Sequence, residues 1–259
     1  MRVEQVARIG DIGSYAFGDR DSEVDKLRES GVTPVDFGVG DPKDPPFPSV
    51  VEQTISSLHA ELTSGYPSYV GHPRFRKEAA AFVEERFGRP INPETEIISS
   101  VGSKEMVFNF HEGFVNPGDT VIVPNPAYPP YIRGTLFAEG KPYYVNLLEE
   151  NRFLPDLDAI PSAVWDAAKI IWVNYPNNPT TVFAPDEFFE KLLHYAHKHD
   201  VIVGSDEAYS ENFCAQRPRS ILEFTKEGVV ALFSFSKMAN MTMFRAGFVC
   251  GDSRVIDVL

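Results

Sequence analysis

The sequence predicts an α/β fold with three layers, α/β/α, built on a mostly parallel central sheet. Short apolar runs of strand length alternate with segments whose apolar residues recur at helical spacing, from residue 49 to residue 250. Polar motifs follow directly after several of the predicted strands, as they do where a parallel sheet binds a ligand. The apolar content of 43% is sufficient for the core that such a fold needs.

The first 45 residues are predicted to form an amino-terminal arm and part of a smaller domain. A helix is expected around residues 22–30, and a short strand leads from Val35 into a glycine–proline turn at residues 40–42. The proline-rich run at residues 42–48 is typical of an extended linker. We therefore expect one large domain over residues 46–259.

Within the large domain, helices and strands are predicted to alternate. Apolar spacing predicts helices at residues 49–62, 72–87, 103–115, 128–139 and 185–199, with Ser103 as a cap and Pro185 in a first turn. Apolar runs predict strands at residues 96–99, 120–124, 142–147, 169–173, 201–204, 229–233 and 244–250. Such alternation implies a sheet that is covered by helices on both faces.

Charge and cysteine content narrow the possible partners and compartment. The chain has 24 basic and 37 acidic residues, a net charge of -13, and no strongly basic stretch. Nucleic acid and membranes are therefore not expected as partners. Cys214 and Cys250 do not form a disulfide framework, and the first residues lack the pattern of a signal peptide. We expect a cytoplasmic protein, and we assign no metal ligands.

Polar residues cluster after the predicted strands. Gly102 to Lys104 lead from a strand into a helix, Asn178 follows strand 169–173, and Asp206 follows strand 201–204. Ser234 to Lys237 come directly after strand 229–233. Because the carboxyl ends of parallel strands meet at one edge of a sheet, these residues are predicted to form a single binding site.

Lys237 is the candidate for carbonyl chemistry at this site. An amine that forms a Schiff base must be partly neutral, and nearby positive charge or partial burial lowers its pKa enough for that. Ser234, Ser236 and Arg245 lie close to Lys237 in the sequence and are donors that suit a phosphate dianion. By itself, Ser-x-Ser-Lys is more typical of a solvated surface lysine, and it is the motifs in the rest of the chain that favour a site for carbonyl chemistry here.

Three motifs together resemble a known family. They are Asn-Tyr-Pro-Asn-Asn-Pro-Thr at 174–180, Ser-Asp-Glu-Ala-Tyr at 205–209, and Ser-Phe-Ser-Lys at 234–237 with Arg245. In this order they resemble the class I/II aminotransferases, the pyridoxal 5′-phosphate (PLP) enzymes of fold type I that include aspartate aminotransferase. The resemblance extends from about Val35 to the last residue, and it makes residues 46–259 the large PLP-binding domain.

The resemblance implies a role for each residue of these motifs. Lys237 would hold PLP as a Schiff base and then shuttle the substrate proton. Asp206 would pair with the pyridine nitrogen, and Tyr209 and Asn178 would hydrogen-bond the phenolic oxygen of the ring. Lys237, Asp206 and Tyr209 are thus the expected catalytic residues.

The remaining cofactor and substrate contacts are also implied by the resemblance. The helix start at Gly102, Ser103 and Lys104 would bind the phosphate. Side-chain donors to the same phosphate would come from Ser234, Ser236 and Arg245. Tyr128 would stack on the ring, and Tyr66 would cross a homodimer interface to the neighbouring phosphate. Gly40 and Asn178 would contact the substrate.

The chain departs from the family pattern at Thr181, at Met238 and Ala239, at Met243 and at its end. Thr181 stands where glycine is usual after Asn-Pro-Thr, and Met243 replaces a commoner glycine near the lysine, which affects the expected substrate shape. Family members continue through a connecting helix into a small domain that supplies an arginine for the substrate carboxylate. We therefore expect an incomplete large domain and, for residues 1–259 alone, no measurable amino transfer.

The resemblance implies a transaminase that passes an amino group from an amino acid to a 2-oxo acid such as 2-oxoglutarate. Segment 65–71, Gly-Tyr-Pro-Ser-Tyr-Val-Gly, is similar to that of diaminopimelate and aspartate transaminases. Two alternatives share the cofactor: a β carbon–sulfur lyase and a non-catalytic PLP-binding module. A nucleotide-binding doubly wound domain is disfavoured because GxGxxG and GxxxxGK[ST] motifs are missing from the sequence.

Overall fold

Two units make up the protein in a computed structural model that describes residues 4, 6–12, 16–35 and 40–259. The first unit is Met1–Pro42 and the second is Lys43–Leu259. The first contains helices α1 (Ala7–Ile12) and α2 (Ala16–Glu29). Most of the short strand predicted after Val35 falls on residues 36–39, which lie outside the described residues.

Helices and strands alternate through most of the second unit. Its helices are α3 (Pro48–Ala60), α4 (Pro73–Phe87), α5 (Ser103–Phe114), α6 (Pro129–Phe137), α7 (Ser162–Ala167), α8 (Asp186–Lys198), α9 (Phe235–Met238) and α10 (Ser253–Ile256). Its strands are β1 (Ile97–Ser100), β2 (Thr120–Asn125), β3 (Lys141–Asn146), β4 (Ala168–Asn174), β5 (Ile202–Asp206), β6 (Val229–Ser234) and β7 (Gly247–Gly251). Across the described residues, none of the helices has both the length and the apolar character to cross a membrane.

The strands form one sheet in the order β1-β7-β6-β5-β4-β2-β3. Strands β6, β5, β4, β2 and β3 pair in parallel, whereas β7 runs antiparallel to both β1 and β6. The predicted α/β fold with a mostly parallel sheet is therefore confirmed.

Both faces of the sheet are buried, which explains the continuous apolar runs. In β4, Ile170 and Trp172 pack into the core beneath α5 and α6, and Ile171 and Val173 pack into the opposite core, to which α4 and α8 contribute. Side chains alternate between the faces of a strand, so a strand with two covered faces has no polar side. The two cores make the α/β/α layers.

Three local predictions were wrong. Strand β7 begins at Gly247 rather than at residue 244, because a 3-10 turn at Thr242–Phe244 ends in Arg245 with a left-handed φ of 51°. Helix α5 is capped by Gly102, and Ser103 is its first helical residue without a capping side-chain bond. Pro185 precedes helix α8, which starts at Asp186.

Thr181 lies in a left-handed turn. Its φ is 64°, its side chain is exposed, and its amide donates to the Asn177 carbonyl at 2.8 Å. A β-branched residue is strained in this conformation, and glycine is not. We expect Thr181→Gly to raise the free energy of unfolding by about 1 kcal/mol in a denaturant titration. Thr181→Ala, which keeps the Cβ atom, is the matched control. Equal stability of the two variants would contradict this prediction.

Candidate active site

The sequence motifs meet at the carboxyl edge of the sheet. Strand β4 ends at Asn174, β5 at Asp206 and β6 at Ser234, and Asn174 pairs with Asp206 in the register of the two strands. The Asn174 side-chain nitrogen donates to the Asp206 backbone carbonyl oxygen at 2.7 Å. This hydrogen bond joins the carboxyl ends of the two neighbouring strands β4 and β5.

Asp206 is a buried carboxylate at the centre of this edge. Its Oδ2 atom accepts a hydrogen bond from the Tyr131 hydroxyl at 2.8 Å, and its Oδ1 atom accepts one from the Ala208 amide at 3.1 Å. Burial raises the pKa of Asp206, and these two hydrogen bonds act in the opposite direction. Both donors are neutral, so a cationic group at this carboxylate would provide the missing opposite charge.

Asn178 and Tyr209 lie together beside Asp206. The Asn178 side-chain nitrogen donates to the Tyr209 hydroxyl at 3.3 Å, and its backbone amide donates to the Asn174 Oδ1 atom at 2.7 Å. Burial is the largest cause that raises the pKa of Tyr209, followed by the Asp206 charge. Tyr209 therefore stays a neutral hydroxyl at neutral pH and can donate to an anionic oxygen.

Gly102 and Arg245 form the second part of the site. A Cβ atom built on Gly102 would lie 2.5 Å from Arg245 Nη2, and the glycine has a φ of 79°. The guanidinium also donates through Nη1 to the Ser236 hydroxyl at 3.3 Å and to the Thr242 carbonyl at 2.9 Å. The glycine thus lets a guanidinium lie against the amino terminus of α5, where both charge and amide dipoles favour an anion.

The other predicted cofactor residues lie in α9, at the end of β6, in the first turn of α5 and directly before α6. Lys237 is half-buried in the short helix α9, with Ser234 and Ser236 buried before it. Ser103 is buried and Lys104 is exposed in the first turn of α5. Tyr128 precedes α6, and its ring meets that of Tyr131 edge-on, with 5.8 Å between centroids.

Tyr66 and Gly40 are the two remaining predicted site residues. The Tyr66 side chain is fully exposed, and Gly40 belongs to the first unit. Their expected contacts with a neighbouring subunit and with the substrate stay predictions.

Sequence reasoning missed Tyr131, the side chain that donates to Asp206. It lies in the helix that was predicted over residues 128–139, where a buried aromatic is ordinary core. The signal that could have pointed to it is its position three residues after Tyr128, the residue predicted to stack on the cofactor ring.

Comparison with protein families and curated proteins gives a consistent result. The model of the family "Aminotransferase class I and II" matches residues 32–259. The LL-diaminopimelate aminotransferase of Aquifex aeolicus is 45% identical over 245 residues, which are 93% of this chain and 63% of the relative. The protein of that name from Gloeobacter violaceus is 43% identical over 254 residues, 96% of this chain and 65% of the relative. The chain therefore spans just under two thirds of the length of these relatives.

Solved structures share the fold over most of the chain. The apo structure of BacF from Bacillus subtilis has a TM-score of 0.93 at 33% identity, and the match covers 100% of this chain and 66% of the BacF chain. A probable N-succinyldiaminopimelate aminotransferase of Thermus thermophilus has a TM-score of 0.88 at 32% identity, and the match covers 94% of this chain and 66% of that structure's chain. With these matches and the family match over residues 32–259, the chain belongs to the class I and II aminotransferases.

Proposed function

We propose that this protein acts as a PLP-dependent aminotransferase that moves an amino group from an amino acid to a 2-oxo acid. The observation that carries the proposal is the buried Asp206 with Asn178 and Tyr209 beside it at the carboxyl edge of the sheet. Lys237 follows the end of β6 at the same edge. The relatives named LL-diaminopimelate aminotransferase suggest LL-diaminopimelate as the amino acid. We propose 2-oxoglutarate as the 2-oxo acid.

The residues present fit PLP on chemical grounds. A buried carboxylate with neutral donors suits a protonated ring nitrogen, and a hydroxyl with an adjacent amide suits an anionic ring oxygen. The contact of Gly102 with the Arg245 guanidinium suits a phosphate dianion at a helix start. Each polar group of the cofactor thus has a counterpart at this edge of the sheet.

When bound, PLP supplies an electron sink that stabilises negative charge at the substrate α carbon. In the proposed reaction, Asp206 holds the proton on the ring nitrogen, and its burial strengthens that interaction. Asn178 and Tyr209 hydrogen-bond the phenolic oxygen. Lys237 would hold the cofactor at its aldehyde group, and as a free amine its Nζ atom would carry the proton from the substrate α carbon to the cofactor.

Phosphate binding is assigned to the start of α5 and to the segment after β6. The residues proposed for it are Gly102, Ser103, Lys104, Ser234, Ser236 and Arg245. Amide groups at the amino terminus of a twelve-residue helix and a guanidinium are strong donors to a dianion. Tyr128 is proposed to stack on the ring, and Gly40 to contact the substrate together with Asn178.

The carbon–sulfur lyase alternative would use the same cofactor residues. The names of the relatives favour amino transfer over elimination. An assay decides between them: a transaminase forms glutamate from 2-oxoglutarate only when an amino donor is present. Pyruvate and ammonia formed from cystathionine without an oxo acid would indicate a lyase instead.

Reduction with borohydride tests the assignment of the cofactor. We expect peptide mapping to place the reduced PLP adduct on Lys237, because this is the lysine that follows a buried strand at the site. Lys191→Ala, which removes a surface lysine paired with Asp158, should leave the labelling unchanged. An adduct on Lys104 or Lys191 would contradict the assignment.

A homodimer completes the proposal. Tyr66 and Tyr69 are fully exposed, and helix α3 has no buried residue, so this part of the second unit presents apolar surface. We propose that Tyr66 reaches the phosphate of the partner subunit. Sedimentation should show a dimer when PLP is bound, and Tyr66→Phe should weaken PLP binding more than Tyr69→Phe does. A fully active monomer would overturn this proposal.

A further inference from the structure

The hydrogen bond from Tyr131 to Asp206 links the proposed cofactor site to the layer of helices below it. The Tyr131 hydroxyl lies 2.8 Å from Asp206 Oδ2, and the two residues are 75 positions apart in the chain. Both side chains are buried, and burial together with the Asp206 charge raises the pKa of Tyr131. The hydroxyl therefore remains protonated at neutral pH and can donate to the carboxylate.

Tyr131 is itself held by a stack of aromatic groups. Its ring lies parallel to that of Trp172, with 5.0 Å between centroids and 10° between planes. The Trp172 indole nitrogen donates to His111 Nε2 at 3.1 Å, and His111 Nδ1 lies 2.6 Å from the Val107 carbonyl. A carbonyl can only accept, so Nδ1 carries the proton and Nε2 is free to accept from the indole. Burial lowers the pKa of His111 to about 4, which keeps this neutral form.

Two glycines make room for this stack. A Cβ atom on Gly204 would lie 2.6 Å from the Trp172 ring, which it faces across strands β4 and β5. A Cβ atom on Gly134 would lie 2.3 Å from His111 Nδ1. Neither glycine has a positive φ, so the backbone conformation does not require glycine at either position. What requires glycine is the close approach of a neighbouring side chain. The stack therefore has a fixed position beneath Asp206.

We propose that Tyr131 is a positioning residue that fixes the Asp206 carboxylate for its contact with the ring nitrogen of the cofactor, and that Trp172 and His111 hold Tyr131 in place. A carboxylate has about four acceptor positions, of which Tyr131 and Ala208 occupy two. Fixing two of them leaves the remaining lone pairs in a defined direction, so the ring nitrogen meets an oriented acceptor. The cofactor part of this inference rests on the proposed function.

The first test uses the protein without cofactor and the variant Tyr131→Phe, which removes only the hydroxyl. Carboxyl-labelled aspartate is followed by NMR through a pH titration, and the Asp206 signal is assigned by its loss in Asp206→Asn. We expect Asp206 to titrate at higher pH in Tyr131→Phe, because a donor to its charged form is lost. The same midpoint in both proteins would overturn the proposal.

The second test compares the binding of PLP with that of an analogue whose ring nitrogen is replaced by carbon. The ratio of the two dissociation constants measures the contact at the ring nitrogen alone, since the phosphate and aldehyde groups are common to both. In Tyr131→Phe we expect the preference for PLP to fall about tenfold. A loss of both ligands in equal proportion would show a structural role only and would overturn the proposal.

Tyr195→Phe is the matched control for both tests. The Tyr195 hydroxyl also donates to a carboxylate, Asp158 Oδ1, at 2.8 Å, but on the surface of α8. This variant should leave the Asp206 midpoint and the ligand preference unchanged. If the unmodified protein binds neither ligand, the proposed function fails, and the titration without cofactor still decides whether Tyr131 acts on Asp206.

Discussion

In a protein that extends over the full length of the relatives, Asp206→Ala should lose about 10³-fold in the rate of amino transfer while it still binds PLP. The phosphate donors near Arg245 are unaffected by this change, but the ring nitrogen loses a buried negative charge. Without that charge the nitrogen is less readily protonated, and the cofactor stabilises carbanions poorly. Single-turnover absorbance measurements with an amino donor would give the rate, and borohydride labelling would give the fraction of protein with bound PLP.

Asp206→Asn separates the loss of charge from the loss of packing. The amide can accept from Ala208 and donate to Tyr131, so both neighbours remain hydrogen-bonded, and we expect the same loss of rate. Asp158→Asn, at a surface aspartate that also accepts from a tyrosine, should leave the rate unchanged. Near-normal single turnovers in either Asp206 variant would make Asp206 a turn residue without a role in the chemistry.

The larger elements of the fold could be predicted because they are buried on a regular period. Strand β4 has two covered faces, so its continuous apolar run predicts a strand. Helix α8 buries one stripe of apolar residues, which predicts a helix. Helices α7, α9 and α10 have six residues or fewer, which is too short for a 3.6-residue period to be recognised. Their existence depends on tertiary packing.

The start of β7 shows the limit of apolar patterning. Phe244 extends the apolar run in the sequence, but it belongs to a 3-10 turn, and Arg245 after it is left-handed. A left-handed arginine is uncommon, and nothing in the local sequence requires it. The antiparallel direction of β7 likewise follows from its pairing with β1 and β6 rather than from its own residues.

Residues that follow strands could be placed at one edge because the direction of a parallel sheet fixes where strand ends lie. Asn178, Tyr209 and Asp206 accordingly come together. Tyr131 could not be assigned in this way, since its contact with Asp206 joins a helix to a strand 75 residues away. The sequence contains both residues, but only the packing of α6 on the sheet brings them into contact.

The contact between Gly102 and Arg245 leads to the second large effect. Arg245→Ala should weaken PLP binding about tenfold to a hundredfold, because a charge-assisted contact with the phosphate is removed. The rate of amino transfer in the PLP-saturated variant should fall less than in Asp206→Ala. Titration of the protein with PLP, followed by absorbance, measures the affinity, and an unchanged affinity would exclude Arg245 from phosphate binding.

Gly102→Ala should weaken PLP binding in the same direction although it removes no donor. The added methyl group would lie 2.5 Å from Arg245 Nη2, so the guanidinium must move away from the start of α5. Gly118→Ala is the matched control, because Gly118 has a φ of 88° and an added methyl group there would have no neighbouring atom within 4 Å. Both variants should lose stability through backbone strain, since alanine is disfavoured at positive φ. Only Gly102→Ala should also lose affinity for PLP, and an equal affinity in the two variants would mean that the glycine serves the turn alone.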